Sequence, residues 1–340
     1  MTEKTGKRMK TGKLPEAVLL RSVIRQVKHR RDDVLAGPAV GVDCAAIAPG
    51  DGEVIVLSTD PITGTVKDLG NHCIHVTAND IAASGAEPIG VLLTFLLPQS
   101  LEEPELRSMM QEAETACASL NMEIIGGHTE ITEVVRQPLV VVTGVGKIRR
   151  DVFLSPKNIH PDQDIIVTKW IGLEATTILA KEREAVLKKR FSADFMNTAR
   201  EFDQYLSVVP DARIAMQTGV VCMHDITEGG VFGALWEVGE AGEVGIDADL
   251  RKIPIRQETV EICEFFDVNP YQIMSSGSML MITDNGQKLV DALEQGGIHA
   301  AVIGRTTGGN DRILHNGEEI RYLDRPQADE LYRAMERKFS

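Results

Sequence analysis

Gly41-Val42-Asp43-Cys44-Ala45, Ser58-Thr59-Asp60, Asn79-Asp80 and Gly126-Gly127-His128-Thr129-Glu130 are strung in that order through the first 130 residues. They combine carboxylates, amides and glycines as a nucleotide–metal site would. Val42 to Ala48 and Glu53 to Thr59 read as strands, and Asp51-Gly52 between them is a favoured two-residue hairpin turn. Counting outward from that turn places Asp43 opposite Asp60. Facing carboxylates cost up to roughly 1 kcal/mol, so the pair calls for bulk water at a strand end or for a cation. Mg²⁺ suits the second case, because it is usually held by one or two carboxylates plus substrate phosphates.

Asn71 to Ser84 reads as a helix with Ile74, Ala78, Ile81 and Ala82 on one stripe. Asp80 lies off that stripe, beside Val76 and Ala83, short residues that leave room for a ligand or for water. Met122 to Ile125 reads as a strand running into Gly126-Gly127, where glycine permits close backbone approach to phosphates.

With 340 residues, 43 % hydrophobic and 25 % charged, the chain has material for about two globular domains. A net charge of -14 with only 4 % aromatic residues argues against nucleic acid as a partner. No apolar run approaches the roughly 18 residues of a membrane span, and no secretory signal is apparent, so the cytoplasm is the expected location. Cys44, Cys73, Cys117, Cys222 and Cys263 are scattered without a Cys-x-x-Cys pair, which fits buried thiols in a reducing compartment. Residues 1–31 hold ten Lys or Arg against Glu3 and Glu16. This segment is either a solvated tail with a basic amphipathic helix or an arm that folds over phosphates, with Lys13 as its key residue.

The punctuated stretch Leu154-Ser155-Pro156-Lys157-Asn158-Ile159-His160-Pro161-Asp162 predicts a boundary between an N-terminal domain, 1–155, and a C-terminal domain, 156–340, both mixing helix and strand. In the second, His224-Asp225-Ile226-Thr227-Glu228-Gly229-Gly230 reads as a strand end running into a helix capped by Asp225 or Thr227. Such a start attracts an anionic group, or its glycines serve close packing on a sheet. There is no Gly-x-Ser-x-Gly, Walker or kinase glycine signature.

These motifs, with Asn79-Asp80-Ile81-Ala82-Ala83-Ser84-Gly85-Ala86-Glu87-Pro88 and Ser275-Ser276-Gly277-Ser278-Met279-Leu280, resemble the aminoimidazole ribonucleotide (AIR) synthase superfamily in their order. Within it the chain looks most like the hydrogenase-maturation HypE branch, from Thr11-Gly12-Lys13-Leu14-Pro15 to Ile303-Gly304. The resemblance implies a two-domain α+β fold whose N-terminal strands form a β-barrel at a homodimer interface, with a C-terminal α/β sandwich and ATP near the interface. It implies that Asp43, Asp60 and Asp80 hold Mg²⁺, joined by Glu130. Lys13, Asn79, Gly126, Gly127, His128 and Thr129 would contact ATP, and Asp43, Asp80 and Lys13 would form the catalytic set. His224, Asp225, Thr227, Gly229 and Gly230 would bind the acceptor. Related ATP users often carry a carboxylate where His128 stands, so the expectation is either that Thr129 or Glu130 compensates or that the third ligand is missing.

The chemistry implied is phosphorylation of a carbonyl or amide-like oxygen on a small molecule or protein-borne group, as in hydrogenase maturation with a partner protein. HypE acts on a C-terminal cysteine. Here the last cysteine is Cys263 and the chain ends Glu336-Arg337-Lys338-Phe339-Ser340, so another acceptor is expected. The alternatives are a non-catalytic nucleotide-binding scaffold or a small-molecule kinase of the thiamine-monophosphate kinase type. Selenophosphate synthetases fit less well, since no cysteine precedes Cys44.

Overall fold

A computed structural model describes residues 12–13, 16–36, 46–62 and 68–338. Two compact units result, Met1–Ile81 with Ala86–Val152, and Ala82–Gly85 with Phe153–Ser340.

The first unit runs β1 (Gly12–Lys13), α1 (Glu16–Ser22), β2 (Val34–Ala36), β3 (Ala46–Ile47), β4 (Glu53–Ile62), α2 (Leu69–Ala83), β5 (Glu87–Leu97), α3 (Glu103–Ser119), β6 (Glu123–Ile131) and β7 (Leu139–Arg149). Five strands form one sheet in the order β1-β6-β5-β7-β4, while β2 and β3 form a separate ribbon. The predicted stripe Ile74, Ala78, Ile81 and Ala82 is buried on α2. Each isoleucine so buried contributes about 1.5–3 kcal/mol.

Two expectations are corrected here. Among the described residues the sheet does not close into a β-barrel: it is open, and β1 and β4 are its edges. Nor does Asp51-Gly52 join a hairpin. Gly52 turns the chain with φ +77, but β3 pairs with β2 and β4 pairs along its whole length with β7. The Cα partner of Asp60 is therefore Val142, and the predicted partner Asp43 lies outside the described residues. A short-range turn signal fixes a reversal of direction but not which strand supplies the ladder; the ten-residue β4 finds an eleven-residue partner in β7 instead of the two-residue β3.

The described part of the basic lead segment is tied to carboxylates of its own unit. Arg21 grips Glu103 through two 2.6 Å bonds and holds that carboxyl down at about 2. Arg30 reaches Glu123 at 3.2 Å, and Arg31 bridges Asp33 at 2.9 Å and Glu87 at 3.0 Å. These partners give Arg21, Arg30 and Arg31 a structural role within their own unit.

The second unit contains β8 (Asp164–Thr168), α4 (Leu173–Glu182), α5 (Glu184–Leu187), α6 (Ala193–Arg200), α7 (Val209–Thr218), β9 (Val220–Asp225), α8 (Gly230–Ala241), β10 (Gly245–Asp249), α9 (Gln257–Phe266), β11 (Met279–Thr283), α10 (Gly286–Gln295), β12 (Ala300–Thr307), β13 (Arg312–Asn316), β14 (Glu319–Tyr322) and α11 (Glu330–Glu336). Its sheet has seven strands in the order β14-β13-β10-β12-β8-β11-β9. Ile165, Val167, Leu280 and Ile282 pack with Val231, Leu235 and Val238 of α8 on one face. The alternate positions, with Ile166 and Val302 paired across strands, belong to the other face, where α10 begins against Val302. A third cluster joins Ala175, Leu179, Met196, Ile262, Phe266, Leu331 and Ala334 from α4, α6, α9 and α11.

The four described cysteines are buried, and burial pushes the thiols of Cys73, Cys222 and Cys263 up to about 12. No helix among the described residues is long and apolar enough to cross a membrane.

Candidate functional site

Asp60 and Asp80 are brought together by two elements far apart in sequence. Gly144 and Gly146 of β7 lie under α2, and a Cβ on them would stand 2.5 Å from Thr77 Cγ2 and 2.2 Å from Ile81 Cγ2. Their lack of side chains lets the helix settle close to the sheet. Gly144 is also the cross-strand partner of Ser58, so the close approach falls beside the row that carries the polar groups. There Ser58 Oγ donates to Asp80 Oδ2 at 2.5 Å and lies 3.4 Å from Asp60 Oδ2. Asp60 and Asp80 are both half-buried, whereas Asn79 is fully buried.

The donor set is chemically suited to Mg²⁺: two carboxylates converge on one hydroxyl, all hard oxygen ligands, with exposure enough for waters and phosphates to complete the shell. Among the described residues no three His, Cys, Asp or Glu side chains cluster as a full metal cage.

The Gly126–Glu130 cluster is elsewhere. Cross-strand pairing puts Asp60, Val142, Leu93 and Gly127 in one transverse row across β4, β7, β5 and β6. Three strand spacings make that separation about 14 Å. Side chains alternate along a strand, so Thr129 shares the α2 face while His128 and Glu130 point from the opposite face. The buried state of Thr129 and the exposure of His128 agree with this. His128 Nε2 lies 3.2 Å from Glu130 Oε2. Within one chain Glu130 is thus not gathered with Asp60 and Asp80 around a single ion. The strand continues through Gly126-Gly127 to Ile131: a Cβ on Gly127 would lie 2.0 Å from Leu93 O, so the close backbone approach within this unit is to β5. The backbone of Lys13 pairs with Glu130 in β1–β6.

In the second unit His224, at the end of β9, meets Glu237 Oε2 of α8 at 2.8 Å. Burial alone would lower the imidazolium, but the hydrogen bond to Glu237 and the charges of Asp225 and Glu237 outweigh it and raise its pKa. Asp225 is buried. Neither Asp225 nor Thr227 caps α8: the N-cap is Gly229, in the left-handed region at φ +81, and its N–H donates to Asp329 Oδ2 at 2.7 Å. A carboxylate from a residue 100 positions later supplies what the sequence motif was expected to supply locally. Gly144, Gly146 and Asp329 are residues that sequence reasoning missed, and Ser58, quoted with its motif, was given no role of its own. Ser58 was detectable as sharing a strand face with Asp60, and Gly144-Val145-Gly146 as alternate glycines on one strand face.

Residues 41–148 match the family described as AIR synthase related protein, N-terminal domain, and residues 160–315 match its C-terminal domain. The chain belongs to the AIR synthase superfamily. Among curated relatives, carbamoyl dehydratase HypE of Azotobacter vinelandii is 24% identical over 271 residues, covering 76% of this chain and 77% of that one. A selenide, water dikinase of Carboxydothermus hydrogenoformans is 26% identical over 333 residues, covering 87% and 92%. Hydrogenase maturation protein HypE crystallised in complex with ATP superposes with a TM-score of 0.80 at 18% identity, over 96% of this chain and 98% of that one. These likenesses establish the fold. They span relatives with different reactions, so similarity alone does not select an acceptor for this member of the superfamily.

Proposed function

We propose that this chain is an ATP- and Mg²⁺-dependent enzyme that phosphorylates a carbonyl or amide-like oxygen of a small molecule or protein-borne group, of the HypE type used in metallocentre maturation. The observation that carries the proposal is the convergence of Asp60 and Asp80 on Ser58 Oγ. Bound Mg²⁺ would neutralise phosphate charge at this point, and Asp80, on the half-exposed face of α2, would share the ion with Asp60. Asp43 and Lys13 complete the proposed catalytic set, Asn79 and the Gly126–Thr129 strand contribute to nucleotide contact, and His224 to Gly230 contact the acceptor.

The test is ADP release in the presence of Mg²⁺ and panels of carbamoyl, formyl-amide and phosphate-ester compounds. Stimulation of at least about tenfold by one class is expected; ADP release that no panel member stimulates removes the catalytic claim. A second reading, a scaffold that binds nucleotide without turnover, is favoured by the placement of His128 and Glu130 on the sheet face away from Asp60 and Asp80. Tight ATP binding with no turnover would select it.

The proposed enzyme acts as a homodimer. Supporting this, the edge strand β4 presents Ile55 and Leu57, 39 % and 66 % exposed, on the sheet face not covered by α2. Leu57→Lys is expected to shift the mass measured by light scattering from dimer to monomer. An unchanged mass places the contact elsewhere.

A further inference from the structure

The C-terminal helix α11 is fastened at both ends. At its start, Asp329 is only 3% exposed. Its Oδ1 accepts Leu331 N–H at 2.7 Å, capping α11, and its Oδ2 accepts Gly229 N–H at 2.7 Å, at the start of α8. One turn on, Tyr332 Oη donates to Glu228 Oε1 at 2.5 Å. At its far end, the Arg183 guanidinium donates to the carbonyls of Ala334 at 3.4 Å and Arg337 at 2.5 Å, and to that of Met335. The first fastening holds two consecutive residues of the Thr227–Gly230 turn and depends on a buried carboxylate. The second depends on a guanidinium donating to three backbone carbonyls.

We propose that α11 is a releasable strap on the Thr227–Gly230 turn, closed while Asp329 and Tyr332 hold Gly229 and Glu228, and opening at that end while Arg183 retains the other. Its consequence for catalysis rests on the reading of this turn as an acceptor contact, and the strap regulates that contact by fixing or freeing the turn.

The groups facing Asp329 and Tyr332 are Glu228 in the turn, Glu174 of α4, Cys263 of α9, and Glu330 of α11 itself. Glu330 is in turn paired with Arg333 Nη1 at 3.3 Å. Burial, assisted by the charge of Glu228, raises the Asp329 carboxyl to about 6 despite its three backbone hydrogen bonds. The Glu228 hydrogen bond pushes the Tyr332 phenol up to about 12, and burial does the same for the Cys263 thiol, so both stay protonated across neutral pH. A carboxyl whose pKa is higher in the closed state takes up a proton on closing. The strap is therefore tightest below the ordinary carboxyl value and loosens as pH rises through about 6.

Hydrogen exchange of the full-length protein, with the Gly229 to Gly233 amides followed from pH 5 to 7.5 and corrected for intrinsic exchange, tests this. Protection is expected to fall by about tenfold over that range in the wild type. Asp329→Asn, which approximates the protonated acid in shape and charge, should flatten the profile. Tyr332→Phe should lower protection at every pH while keeping the slope. Protection that does not vary with pH in the wild type, or an unaltered slope in Asp329→Asn, overturns the strap. The exchange result does not depend on the acceptor reading: the expected profile, with ADP release unchanged in Asp329→Asn, supports the strap and instead removes the acceptor role of the turn.

Discussion

Replacing Asp60 and Asp80 together by asparagine is expected to weaken Mg·ATP binding by about 3–5 kcal/mol, two to four orders of magnitude in Kd. Each substitution keeps the shape of the side chain and an oxygen that can accept from Ser58 Oγ, so the bridge between β4 and α2 persists. What is removed is charge. A single carboxylate–cation contact contributes about 1.5–3 kcal/mol, and Asp80→Asn alone should therefore lose at least about 1.5 kcal/mol. The sign without metal is the more discriminating part. With Mg²⁺ chelated away, two carboxylates repel a triphosphate, and the double variant should then bind ATP as well as the wild type or better. A loss that is the same with and without Mg²⁺ would mean that the carboxylates act on the fold and not on a metal.

Gly127→Ala should destabilise the first unit by about 2–4 kcal/mol, seen as an earlier transition in urea unfolding. Gly127 has φ +144, and its added Cβ would stand 2.0 Å from Leu93 O and 2.7 Å from the Leu93 carbonyl carbon and nitrogen. All three are backbone atoms of β5, a strand paired on both sides, so relief requires shifting the parallel ladder. Gly126→Ala is the control. There the Cβ meets only Leu92 Cδ2, at 2.9 Å, the end of a side chain that can rotate away, and the loss should stay below about 1.5 kcal/mol. Equal losses at the two positions would show that the backbone approach to Leu93 is not what requires glycine at 127.

The contrast between these glycines also shows what the sequence conceals. The stripe Ile74, Ala78, Ile81 and Ala82 was legible because helical burial is a local, periodic property, and Asp80 was correctly placed off it, beside Val76 and Ala83. The superfamily was legible from six motifs in order. Strand partnership was not, since Asp51-Gly52 reports a turn and is silent on whether β4 then pairs with β3 or with β7, almost 90 residues later. The Gly126-Gly127 pair read as a place for phosphates to approach for the same reason: glycine signals a close backbone approach, and only the sheet reveals that the approaching backbone is Leu93. At Gly229 the sequence left an anion contact and close packing both open, and the N–H there is taken by Asp329, a contact that no local pattern encodes. The same limit hid the separation of Glu130 from Asp60 and Asp80, which follows from strand order alone.

Calorimetric titration of the intact protein with ATP, in the presence and absence of Mg²⁺, bears most directly on the central claim. Binding that requires Mg²⁺ and is lost in the D60N/D80N variant is the predicted result. Absence of binding, or binding indifferent to Mg²⁺ and to both carboxylates, would contradict the assignment of Asp60 and Asp80 as the metal-binding pair of this AIR synthase superfamily member.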